Sequence, residues 1–196
     1  MQFHDDRWKA ELAVYAKQIE TTEVLRSSPD DDLFLAERPI MYSAFILRKL
    51  IEDKAVTDSL ASRSVDVHAY PSTRNGRAVF LEVMLGQLEV QNEFDLNAPF
   101  DLRVSYYDLA SEIVHADGFI WISEDEPVQS FGVFSYRNFL NRMILVPKRL
   151  ILEVIGRVVE DKPTRWINAE NLQTGRITRH VLTEREYVRM TTPTKK

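Results

Sequence analysis

Residues 39–53, PIMYSAFILRKLIED, place Ile40, Met41, Tyr42, Phe45, Ile46, Leu47, Leu50 and Ile51 on nearly every side of one helix. A helix resting on a single layer needs only a stripe of apolar side chains, because its residues repeat every 3.6 positions. This helix has too little polar surface for that arrangement. It must lie between layers of structure or against another subunit. Proline lacks an N–H and is best accommodated as a first helical residue. The pattern therefore predicts one or two helical turns in DDDLFLAE, residues 30–37, an interruption, and a renewed helix from Pro39.

Around this helix the apolar period changes along the chain. Trp8, Leu12, Tyr15 and Ile19 mark one face of a helix over residues 5–28, and VTDSLASR suggests a short helix over 56–63. From Ser64 the period becomes two. Val65, Val67 and Ala69 point one way, and Asp66, His68 and Tyr70 the other, which is a strand with one wet face. Residues 78–94 fit a strand start passing into a helix. Leu102, Tyr106, Leu109 and Ile113 form a helical stripe over 101–117, which Gly118 would terminate. GFIWIS and SFGVFSY form a hairpin across EDEP, and RMILV is a third strand. Pro147 opens a helix to residue 161, and TRWINAEN and RITRHVL flank LQTG as a C-terminal hairpin. Strands in consecutive runs with helices between the runs indicate an α+β fold, its helices packed on a mainly antiparallel sheet. Strict βαβ alternation is missing, which argues against a doubly wound parallel sheet. We expect one domain over 1–190, helical to about residue 62 and mixed from 63, followed by a frayed tail at 191–196.

Composition narrows the chemistry. The 196 residues include no cysteine, which removes disulfides, thiolate metal sites and cysteine nucleophiles and suits a reducing cytosol. Six glycines leave little room for phosphate-cradling loops, and no P-loop, dinucleotide-binding, nucleophile-elbow or H-E-x-x-H pattern occurs. MQFHDDRWKAEL is not a secretory signal, and no apolar run approaches the ~18 residues of a membrane span. The expectation is a soluble cytoplasmic protein with no cofactor and no membrane contact.

Two sets of residues carry candidate catalytic chemistry. Asp108, Glu112 and His115 share one polar helical face, and Glu-x-x-His is half of the carboxylate-bridged di-iron pattern. The other half is absent, since none of His4, His68 and His180 has an acid three residues before it. A histidine in a last helical turn is favoured by the helix dipole alone, so the stretch is read as a helix end before a buried strand, with no metal. Asp66, His68 and Tyr70 would offer a base, an acid and a hydrogen-bond donor if the wet face of their strand lined a cleft. His4-Asp5-Asp6 and Asp30-Asp31-Asp32 are helix-opening acids rather than ligands.

The charge is asymmetric. Residues 162–196 hold eight basic and three acidic residues, whereas the whole chain carries −5. Arg165, Trp166, Arg176 and Arg179 could grip phosphate and stack a base. An acidic protein is an unusual nucleic-acid binder, however. The sequence favours a non-catalytic binding or assembly protein acting through protein–protein contacts, as a homodimer or with another protein. The alternatives are nucleic-acid association through the C-terminal hairpin and a hydrolase with a His/carboxylate pocket.

Overall fold

In the computed structural model, residues 5–25, 27–73, 93–122, 127–135 and 142–192 are described. The ambiguous segment 78–94 lies outside them except for its last two residues, as do His4, the predicted hairpin-strand residues Ser123 and Tyr136, residues 124–126 of their connection, and the tail from 193.

The first helix, α1 (Asp5–Thr21), opens on Asp5 and Asp6 and ends sooner than its sequence suggests. Leu12 and Ile19 are buried, as the predicted stripe requires, while Trp8 stays at the rim. The second helix, α2 (Asp30–Glu52), runs unbroken through Pro39, so the expected interruption does not occur. An interior proline forfeits one backbone bond and costs about 3 kcal/mol in an exposed helix. Here Ala36 packs with Val24 and Val128 on one side of the proline, and Ile40, Ala44 and Leu47 enter the main core on the other. Burial on both sides holds the two halves in line.

A short helix, α3 (Asp58–Ala61), is capped by the Thr57 hydroxyl, which accepts from the Leu60 N–H. Strand β1 (Ser64–Pro71) follows, and β2 (Phe100–Ser105) pairs with it, Val67 opposite Leu102. The helix expected from residue 101 starts later, because residues 100–105 form a strand at the edge of the described sheet. Helix α4 (Tyr106–Val114) begins only after them, where the Ser105 Oγ accepts from the Asp108 N–H at 3.0 Å. Leu102 therefore belongs to the sheet and not to the helical stripe.

Strands β3 (Ala116–Trp121), β4 (Ser130–Ser135) and β5 (Arg142–Pro147) complete a five-stranded antiparallel sheet in the order β2-β1-β5-β4-β3. Side-chain alternation gives the sheet two faces. One face, carrying Val67, Val104, Phe131, Val133, Ile144 and Val146, builds the main core with α1, α2, α4 and α5 (Lys148–Glu160). The other face carries a smaller cluster of Phe94, Phe134 and Met143, against which Tyr70 and Ile120 pack. Gly132 lies on this second face, where a Cβ would come within 2.5 Å of the Met143 Sδ.

Strands β6 (Arg165–Glu170) and β7 (Ile177–Leu182) form the expected C-terminal hairpin, closed by Gly175 at φ 64. A further helix, α6 (Glu184–Thr191), stands where the sequence reading placed only a hairpin and a tail. Its start is a capping box in which Thr183 and Glu186 satisfy each other's backbone N–H groups.

One junction ties α1, α3 and α5 together. The Asp161 carboxylate accepts from the Thr57 N–H and hydroxyl, both at 2.8 Å, and its carbonyl accepts from the buried Lys9 ammonium at 2.6 Å. Burial lowers the pKa of Lys9, and the Asp161 charge opposes that shift. Asp161→Ala strands the Thr57 donors and lowers stability by about 1–3 kcal/mol in urea unfolding.

Candidate functional site

The α4 residues come together as the sequence suggested, but with partners it did not show. Asp108 sits at the helix start and accepts from the Ser105 hydroxyl at 2.6 Å. Glu112 is buried and faces the Arg142 guanidinium at 3.4 Å, and both line an open polar cleft of about 250 Å³ with Asp108, Ser111 and His115. His115 terminates the helix, its Nε2 2.8 Å from an Arg48 nitrogen of α2. A guanidinium only donates, so Nε2 is the acceptor and the ring proton belongs on Nδ1. In this arrangement the Nε2 lone pair is already occupied. Arg48 also donates to Glu52, which takes the Tyr107 hydroxyl as well, and these bonds hold the Glu52 carboxyl below its ordinary range. Among the described residues, no group of three or more histidines and carboxylates is placed to hold a metal ion.

Asp66, His68 and Tyr70 stand on the opposite face of the sheet from α4, so the two histidine clusters do not form one site. The His68 Nδ1 lies 3.0 Å from Asp101 on β2, with both side chains largely in solvent. Asp66 is opposite Arg103, and Tyr70 is opposite Met143 beside the small cluster. None of the three lines the α4 cleft or the apolar clefts beside α2 and α5.

The C-terminal candidates divide between two faces of the hairpin. Trp166 pairs with Val181 and Asn168 with Arg179, which puts Trp166 and Arg179 on one side. Arg165 pairs with Leu182, on the side that alternation assigns to Arg176. The Arg165 fork is engaged: it donates to both Glu184 oxygens at 2.7 and 3.0 Å and lies over the Tyr187 ring. That pairing raises the Arg165 pKa and lowers that of Glu184.

A second, larger concave feature is apolar. A groove of about 780 Å³ runs between α2 and the α4–β3 junction. Phe34, Glu37, Arg38, Met41, Tyr42 and Phe45 line it from α2, and Val114, Ala116, Gly118 and Phe119 from the other wall. Phe34 and Phe45 are 62% and 51% exposed, high values for large apolar side chains on so well buried a helix. Tyr42 is held in place by stacking on Tyr15 at 5.6 Å, with Arg38 over its ring. Of the lining residues, Glu37 accepts at Oε1 from Trp121 Nε1 at 3.3 Å, and burial pushes the Glu37 carboxyl up.

The apolar excess on residues 39–51 marks this face, whereas Phe34 lies before Pro39, across the interruption that the sequence predicts. In an unbroken helix eleven residues make about three turns, so the two rings share a side. The chain matches no protein-family model, no curated protein and no solved structure.

Proposed function

We propose that the protein is a non-catalytic binding or assembly protein that pairs with a second copy of itself through the α2 groove. The observation that carries this reading is the run of exposed Phe34, Tyr42 and Phe45 beside an apolar wall, on a helix whose other side is core. A contiguous apolar surface of this kind is the usual mark of an interaction site. Its charges favour a second copy over a foreign partner. Glu37 and Arg38 are neighbours in the groove, so a twofold-related copy offers each sign its opposite. A uniformly acidic or basic partner would leave one of them unmatched.

The other readings have weaker support. The histidines of the α4 cleft and of β1 already have partners, and the basic residues of the hairpin are split between faces, with Arg165 held by Glu184. A cytoplasmic setting belongs to the same proposal and is supported by the absence of cysteine. The test is energy transfer between donor- and acceptor-labelled copies mixed at about 100 µM, well above the expected dissociation constant, under moderate salt. Transfer appears and is competed away by excess unlabelled protein; its absence overturns the reading.

A further inference from the structure

We infer that the partner's α2 lies antiparallel in the groove, with Phe34 of each copy packed on the partner's Phe45 and Arg38 on the partner's Met41. This rests on the self-association proposed above and adds its geometry. Phe34, Arg38, Met41 and Phe45 are spaced by four, three and four residues. Steps of four and three keep successive side chains on one seam, as in a coiled coil. At about 100° per residue these four positions fall within roughly 60° of the helix circumference. Ala36, Ile40 and Leu47 are buried on the far side and Ala44 on the flank, while Met41 also touches the main core with part of its side chain.

The spacing reads the same from either end. Reversing one copy about the midpoint of residues 39 and 40 superimposes the four positions on themselves, which a self-complementary twofold contact requires. The flanking pair obeys the same symmetry, because Glu37 then faces the partner's Tyr42. Arg38 stands slightly more than one helical turn from the partner's Glu37, a distance of about 6 Å along the axis that a long side chain can span. A parallel pairing would instead set Arg38 against Arg38 and Glu37 against Glu37. Like charges at close quarters oppose that register. The groove wall of Val114 and Phe119 then covers the outer side of the inserted phenylalanines.

The absence of native cysteine allows a direct test of register. Arg38→Cys and Met41→Cys are made as separate chains, each first checked by light scattering for the mass of the unaltered protein. On mild oxidation the mixture cross-links at least about ten times faster than either chain alone, since only unlike chains bring the two Cβ atoms within disulfide reach. A protein that is dimeric but in which each single variant cross-links to itself as fast as to the other overturns the antiparallel register and leaves self-association standing. A protein that is monomeric without any substitution overturns both.

Discussion

Phe131→Ala lowers the free energy of unfolding by about 3–5 kcal/mol, the usual loss for truncating a fully buried phenylalanine. The ring is completely excluded from solvent and packs against Phe119 at 5.5 Å and Trp121 at 5.6 Å between ring centroids. Both neighbours bear on the groove: Phe119 lines its wall, and Trp121 donates to Glu37, which lines it from α2. Truncating Phe131 therefore loosens the support of the groove as well as the core. Phe131→Leu keeps most of the volume and costs less than about 1.5–2 kcal/mol. Urea unfolding followed by tryptophan fluorescence measures both. A loss below about 1 kcal/mol for the alanine variant would mean that the ring is not a central packing element.

Phe45→Glu has the largest expected effect on assembly. Residue 45 is half exposed in the single chain, so the substitution changes the stability of that chain by only about 0.5 kcal/mol. In the pair, the substitution would remove the ring that packs on the partner's Phe34 and bury a carboxylate in its place, with the partner's Arg38 about 6 Å away along the axis as the nearest cation. Losing that ring contact and desolvating the charge together cost several kcal/mol, only part of which Arg38 offsets, and the dissociation constant rises by at least about a hundredfold. Phe100→Glu is the matched control, because Phe100 is similarly exposed but lies on the edge strand β2, away from the groove. Light scattering on both variants separates the groove from apolar surface in general. Equal loss of assembly in the two would show that neither face is specific.

Much of the fold was legible because its periodic signals were strong. The alternation of residues 64–70, the two hairpins and the helix after Pro147 all stand where the apolar pattern puts them. The errors share a cause: local signals competed, and tertiary packing decided. Leu102, Tyr106, Leu109 and Ile113 fit a helical stripe by spacing, yet Leu102 pairs across to Val67 and the helix waits for the Ser105 cap. Pro39 should have divided α2, but apolar contacts on either side outweigh one missing hydrogen bond. Helix α6 was readable in principle, since Thr183-x-x-Glu186 is a capping-box pattern and was passed over.

The site was less legible than the fold. The partner of His115 is Arg48, 67 residues away, and that of Glu112 is Arg142, 30 residues away. No local pattern announces contacts at such separations. The groove likewise joins α2 to residues 114–119, so one of its walls exists only once the chain has folded back beside α2. What the sequence did carry was the excess of large apolar residues on one helix, more than a single core can cover.

The central claim is that this excess is covered by a second copy, and sedimentation equilibrium tests it most directly. A three-turn seam with a short flanking wall is a small interface, so the dissociation constant is on the order of micromolar. Across about 1–100 µM protein the weight-average mass climbs from near one chain to two and levels off there. A mass that stays at one chain over that whole range contradicts the account.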